Sequence, residues 1–424
     1  MDDDFEDREE DCLGYGEVSL ESVYVFGSME DGRTGVINST STQSLLHHPH
    51  PIDVSSLSLK TEDEVPVKFC CELVACGARH SLLLLKNCFR EEFINIENGL
   101  PRLRRRKRIL VMTGLNQRGL SEDPGFPSPV IIPWGEQKES RQDSIASIAA
   151  GDGTSFVVTV SGRLFSWGNG GHGRLGHGDL LSLQSPRQCL HLKRHIVRKI
   201  ATGGGHAVAL TNQGVLFSWG HNHRGQVGVG SSSNSVLEPT LIPWKSTEKL
   251  VDMSCGDDFT LLLVKEGSHN DERTLGDFLY GWGACDRGQL GGDHIAAGSR
   301  NNPVEIAEIP RLLHRIGQRI SSITAGGAHC LASTYPRGQV ISWGAGNYGI
   351  FFHLNVSFEC IIYIYTDYSI GQLGNGYLWD DSEPKVINNL SEVFSVVAGK
   401  RHSIALRKLL GVTDTRFFPF DIFL

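Results

Sequence analysis

The sequence has no cysteine pairs at metal-binding spacing, no Gly-Lys-Ser/Thr phosphate loop, no G-x-S-x-G turn and no H-E-x-x-H helix. The constellations that most often announce hydrolysis or phosphoryl transfer are therefore missing, and the expectation is a protein without bond-making catalysis, cofactor or metal. Ten cysteines are scattered without paired spacing, which argues against a disulfide framework and for a reducing compartment. No apolar run follows a basic start at the N-terminus, so the chain is expected inside the cell, in cytoplasm or nucleus, without membrane association. Nor is there an excess of positive charge: 40 Lys and Arg face 48 Asp and Glu, for a net charge of -8. Nine acids against Arg8 within residues 1–17 carry that whole imbalance. Nucleic-acid affinity comes from cations neutralising phosphates, so direct nucleic-acid binding is disfavoured.

What the chain does have is glycine, 49 residues against 16 prolines, spread through 424 residues. The glycines follow a pattern: aromatic-Gly, four residues, then Gly. It occurs at Phe26-Gly27, Trp167-Gly168, Trp219-Gly220, Trp282-Gly283 and Trp343-Gly344, and at Thr113-Gly114 without the aromatic. Short strand-type runs precede these sites, as in Arg163 to Trp167, Val215 to Trp219, Phe278 to Trp282 and Gln339 to Trp343. A second signature begins at Gly77, Gly151, Gly203, Gly256, Gly326 and Gly399 and ends three residues later at His80, Thr154, His206, Phe259, His329 and His402. Successive second signatures lie 52 and 53 residues apart where spacing is tightest and 70 to 74 elsewhere. A unit near 52 residues holds about four strands, the content of one propeller blade. One blade cannot bury both of its faces, so the repeats must form one cooperative body.

The strand-Trp-Gly entry, the Gly-Arg-Leu-Gly and Gly-Gln-Leu-Gly turns at 173–176 and 288–291, and the Gly-x-x-His exit resemble repeats of the regulator of chromosome condensation (RCC1) family. The resemblance covers residues 22–406 and implies an all-β propeller, between an acidic arm at 1–21, expected to be disordered, and an irregular tail at 407–424. Family propellers usually have seven blades, whereas six units are recognisable here. Either the ring is six-bladed, with the strand near Val23 to Phe26 helping to close it, or a last repeat is absent from this chain. The resemblance further implies a protein partner. One reading is an interaction or scaffold module whose insertions at 33–68, 87–107 and 265–277 supply specificity; the alternative is nucleotide exchange on a Ran-like small GTPase. In exchange factors of the family an Asp just before the exit His is important, and Asp258 is the acid at that position here, although Phe259 replaces the His. Photoreception is disfavoured because no exit contains the Trp that the family's UV-B receptor uses.

Several motifs have simpler readings. Gly168 to Gly173 matches G-x-G-x-x-G, but no helical pattern follows it to hold a pyrophosphate, so it reads as a repeat turn. The exit histidines sit in different units with Thr154 and Phe259 as counterparts, which favours packing or hydrogen bonding between blades over metal binding. Cys70, Cys71 and Cys76 fall on an apolar strand and read as buried thiols. His47-His48-Pro49-His50 reads as a solvated loop. The basic run Arg102 to Arg108 is open between a nuclear-import patch and a solvated loop. Residues 350–371 interrupt the sixth unit with an apolar, aromatic stretch where a surface turn belongs, and removing them restores a spacing of 51. They read either as a retained non-coding segment or as a partner-binding loop.

Overall fold

A computed structural model describes residues 24–28, 45–51, 69–78, 80–87, 108–114, 130–134, 143–231, 233–244, 249–265, 277–291, 307–316, 319–345, 351–356, 360–365, 381–387, 393–398 and 403–408. The expectations for residues 1–21, for Arg102 to Lys107, for Gly399 and His402, and for the chain beyond 408 lie outside these. The described residues build a succession of antiparallel sheets. Strands β1 (Tyr24–Ser28) and β2 (Leu45–Pro51) pair alone. The first four-stranded blade is β3 (Phe69–Cys76), β4 (His80–Asn87), β5 (Arg108–Gly114) and β6 (Val130–Ile132). The second is β7 (Ile145–Ala150), β8 (Thr154–Thr159), β9 (Leu164–Gly168) and β10 (Leu183–Gln188). The third is β11 (Val197–Thr202), β12 (His206–Thr211), β13 (Leu216–His221) and β14 (Ser235–Leu241). The fourth is β15 (Lys249–Cys255), β16 (Phe259–Lys265), β17 (Asp277–Gly283) and β18 (Ala307–Ile316).

The fifth blade starts with β19 (Arg319–Ala325), β20 (His329–Tyr335) and β21 (Val340–Gly344). The chain then makes β22 (Phe351–Val356) and β23 (Cys360–Tyr365) before β24 (Asp381–Val386) completes that blade. The sixth sheet joins β25 (Val393–Ala398) and β26 (Ser403–Lys408) to that interposed hairpin in the order β22-β23-β26-β25. Where a surface turn belongs, residues 351–356 and 360–365 are thus strands. Their strands are a run of β-branched and aromatic residues, and they satisfy their backbone on the open edge of β26. His47-His48-Pro49-His50 is likewise a correction, since it forms β2 and not a loop.

The second, third and fourth blades grade from dry to wet. The second strand is buried on both faces, as in Thr154–Thr159 and His206–Thr211, because each of its faces meets a neighbouring blade; hence the unbroken apolar runs. The fourth strand is an exposed edge, and every one from the second to the fifth blade contains a proline: Pro186, Pro239, Pro310 and Pro384. A proline cannot donate to a further strand, so it protects the edge from wrong pairing. Each of these prolines lies in a bulge of constant form. In the third blade Gly220 faces Val236 while Ser218 faces Thr240, so two steps along the third strand span four along the fourth. The same offset recurs at Gly168/Leu183 with Ser166/Arg187, at Gly283/Ala307 with Gly281/Arg311 and at Gly344/Asp381 with Ser342/Lys385.

Candidate functional site

Two devices tie neighbouring blades together and fix what their turns present. In the first, the exit turns join through their backbones: Ala78 N donates to Gly151 O at 3.3 Å, Asp152 N to Gly203 O at 3.2 Å, Gly204 N to Gly256 O at 3.2 Å and Asp257 N to Gly327 O at 3.1 Å. A side chain on Gly203 would overlap the carbonyl oxygen of Gly256, so glycine is needed there for close approach. The exit histidines reinforce these joints. His80 Nε2 lies 2.8 Å from Ser155 Oγ of the next blade, and His206 Nε2 lies 2.8 Å from Thr260 Oγ1 of the next. Burial pushes both imidazoles down, His80 to about 4 and His206 to about 3, so both are neutral near pH 7. His329 is buried as well. Hydrogen bonding between blades, expected for these residues, is what His80 and His206 do.

The second device is the tryptophan of the strand-ending signature. Trp167, Trp219, Trp282 and Trp343 are fully buried. Three of them donate an indole N–H to a turn carbonyl in the preceding blade: Trp219 to Arg174 O at 3.0 Å, Trp282 to Gln226 O at 2.7 Å and Trp343 to Gln289 O at 3.0 Å. Gly168 to Gly173 belongs to this design, forming a tight turn with a short 3-10 segment at Gly171–Gly173. Gly27 and Gly114 end β1 and β5 close to their strands' last residues, and Gly326 opens the β19–β20 turn through a 2.8 Å bond from its N–H to His329 O.

Asp258 sits in the exit turn between β15 and β16, where turns of three successive blades meet. Its Oδ1 accepts a hydrogen bond from Gln226 Nε2 at 2.8 Å and lies 3.9 Å from His223 Nδ1. Burial raises its pKa above the usual carboxylate value; His223 and Arg224 oppose that rise, and Asp257 and Asp286 add to it. Beside it Arg224 pairs with Asp286 at 2.8 Å, which holds Asp286 low against the effect of burial. His223 stacks on His221 with ring centres 4.2 Å apart, and His221 lies 4.1 Å from the ring of His172. Burial, helped by His223, His172 and Arg174, lowers His221 to about 4. His172 is exposed and, alone among the described non-glycine residues, has a left-handed backbone, with φ of 59°; such strain is most often kept where a side chain must be aimed.

Asp258 is legible in the sequence, whereas His172, His221, His223, Arg224 and Gln226 read there as turn residues. The His-x-His spacing at 221–223 was the available signal. Donor atoms of His221, His223 and Asp258 lie within 4.8 Å of one another and could offer two nitrogens and an oxygen to a divalent cation. The charges of Arg174 and Arg224 beside them work against one. Of the cysteine and basic candidates, Cys76 ends β3 as a free thiol that is only half-buried, not buried as expected, and Arg108 opens β5 in a 2.6 Å ion pair with Glu72; the side chains of Cys70 and Cys71 lie outside the described residues.

Comparison with known proteins agrees with the geometry. The family described as the regulator of chromosome condensation (RCC1) repeat matches residues 161–210 and 213–263, and a second description of that repeat matches 145–174 and 197–226. The chain is 32% identical over 203 residues to a bifunctional serine/threonine-protein kinase/NEDD4-like E3 ubiquitin-protein ligase of Dictyostelium discoideum, covering 47% of this chain and 10% of that protein. It is 29% identical over 294 residues to E3 ubiquitin-protein ligase HERC2 of Homo sapiens, covering 61% and 6%. Against Protein RCC2 of Homo sapiens the identity is 28% over 229 residues, covering 49% and 40%. The matched region is thus less than half the length of each of these relatives. Human WBSCR16 superposes with a TM-score of 0.65 at 20% identity, covering 92% of this chain and 83% of that one. Prp20p of Saccharomyces cerevisiae gives 0.57 at 19% identity, covering 91% of each. Both share the fold. Among the described residues no helix is long and apolar enough to cross a membrane.

Proposed function

The chain carries RCC1 repeats and folds as an RCC1-like propeller, and from that premise we propose that it is a protein-interaction module, regulatory or scaffolding in role, without bond-making chemistry. The observation that carries this reading is the polar face where turns of three blades bring together His172, His221, His223, Arg224 and Asp258. Rigid blades hold these groups in fixed positions, and such pre-organisation lowers the entropic cost of docking a partner. Proteins of this fold engage other proteins: Prp20p was characterised for binding to Gsp1p and histones, and yeast RCC1 (Prp20) was crystallised with Kap60. The test is quantitative affinity capture with the wild-type chain and with a His172→Ala/His223→Ala/Asp258→Ala variant of unchanged melting temperature. A set of partners lost with the variant supports the reading, and an identical set refutes it.

Nucleotide exchange on a Ran-like GTPase is the second reading, and the position of Asp258 favours it. Exchange needs a face complementary to the GTPase's nucleotide-binding region, not a bond-making side chain, and Asp258 is held by Gln226 with its carboxylate half-exposed. Nucleotide release from purified small GTPases, measured with wild type and Asp258→Ala, separates the two. Acceleration that the substitution abolishes supports exchange; no acceleration leaves the interaction module.

A further inference from the structure

The sixth sheet and the isolated pair β1–β2 are two halves that fit each other. Within the third blade the first two strands carry a register shift between Val197 and Lys199, and the fourth and fifth blades repeat it at Leu250/Asp252 and Ile320/Ser322. Strands β25 and β26 carry it too, between Val393 and Ser395, so they are the first and second strands of a blade. Strands β1 and β2 have the other shift: Gly27 faces Leu46 while Val25 faces His50, the same two-against-four offset that marks third and fourth strands. Pro49 stands three residues after the partner of Gly27, as Pro239 stands three after the partner of Gly220 and Pro384 three after that of Gly344. The β22–β23 hairpin has none of this. Its register runs from Phe351/Tyr365 to Val356/Cys360 without a shift, and β22 contains no proline.

We propose that the outer edge of β26 is the docking site of the chain's own Tyr24–Pro51 hairpin, and that the 351–365 hairpin is a competing occupant that holds the propeller open when it is bound. In the complete blades the exit residue faces the signature glycine, as His206 faces Gly220 and His329 faces Gly344, with Ala207 facing Trp219. Carried to the sixth blade, that register sets Ser403 opposite Phe26 and Ile404 opposite Val25. Those two places are now taken by Tyr365 and Ile364. With β1 and β2 seated there, six blades of four strands are complete and no half-blade is left over.

Disulfide trapping in the full chain reads the occupant directly. Neighbouring antiparallel pairs alternate in geometry and only the closer kind accepts a disulfide readily, so two adjacent registers are tested. Phe26→Cys/Ser403→Cys and Val25→Cys/Ile404→Cys report the N-terminal hairpin; Tyr365→Cys/Ser403→Cys and Ile364→Cys/Ile404→Cys report the interposed one. Linked peptides are identified by mass spectrometry. The expectation is that the second set links in the full chain, and that deleting residues 350–371 moves the first set from background to the dominant species. Because a deletion can impair folding, an Ile362→Pro/Ile364→Pro variant, scored on the Phe26/Ser403 pair, blocks β23 at full chain length. If neither change brings the N-terminal pairs together, or if they link only between two copies, the proposal is overturned; N-terminal linking of the same extent with and without residues 350–371 overturns the competition.

Discussion

Replacing Gly228 by alanine tests whether the tryptophan-to-turn contact holds adjacent blades together. Gly228 has a φ of 75°, and a Cβ there would run into the indole nitrogen of Trp282. That nitrogen donates to Gln226 O at 2.7 Å, and the indole is fully buried. Gly214 is the control, with a φ of 79° and nothing within 4 Å of its Cβ position. Alanine at 214 bears only the left-handed backbone cost, about 1 kcal/mol. At 228 the indole must also move and strand a buried donor, which adds roughly 1–3 kcal/mol. Gly228→Ala should therefore destabilise by about 2–4 kcal/mol and Gly214→Ala by about 1. Urea unfolding of both variants gives the comparison. Adding Trp282→Phe removes the donor and the strained nitrogen, so Gly228→Ala should cost clearly less in that background than alone. Equal midpoints for the two glycine variants, or strict additivity with Trp282→Phe, would refute the role given to the contact.

Acidification should weaken the fold through the exit histidines: their folded values of about 4 and 3 lie below the unfolded value near 6.5, so the unfolded chain binds more protons and stability falls as pH drops below 6.5. His80 and His206 should each contribute a loss of about 2 kcal/mol at pH 5, and calorimetry of His206→Phe should show a smaller drop between pH 7 and 5 than wild type, an unchanged drop counting against it. Thr260→Val should cost about 1–3 kcal/mol, because the Thr260 hydroxyl donates to Gln226 O at 3.2 Å and leaves His206 Nε2 as the donor that loses its acceptor; a neutral result by urea unfolding would contradict that assignment. Asp258→Asn keeps an oxygen for Gln226 and should leave the melting temperature unchanged while reducing partner capture, so loss of stability without loss of capture would remove Asp258 from the binding face.

The blades were legible because two demands leave traces in single residues. A strand buried on both faces must be apolar throughout, as Phe259–Lys265 very nearly is, and close backbone approach must use glycine, as at Gly203. The interposed hairpin was not legible as such, because pairing with β26 depends on an edge left open some forty residues later in the chain. Pro49 reads as part of a loop because it follows a Ser/Thr-rich stretch; in the fold it marks an edge strand, as Pro186 and Pro239 do. The candidate face is only partly visible, since His172, His223 and Asp258 come from three blades and nothing in their local sequence says that they meet.

Gln226 links that face to the core. Its carbonyl accepts the Trp282 indole and the Thr260 hydroxyl, while its side chain donates to Asp258 at 2.8 Å. It is itself buried, so a shift of the tryptophan seat has no slack through which to dissipate and reaches the carboxylate. Arg174 holds a related place one blade earlier, accepting Trp219 on its carbonyl and donating from its guanidinium to the main-chain carbonyl of Asp152 at 3.0 Å, with the Asp152 carboxylate 4.0 Å away. The Gln226 turn therefore seats a core tryptophan and positions a surface acid. It follows that Gly228→Ala should reduce partner capture as well as stability, whereas Gly214→Ala, at the far end of its blade from Asp258, should leave capture intact. Measuring both at a temperature where each variant remains fully folded separates positioning from unfolding. Undiminished capture by folded Gly228→Ala would show that the acid is held independently of the tryptophan beneath it.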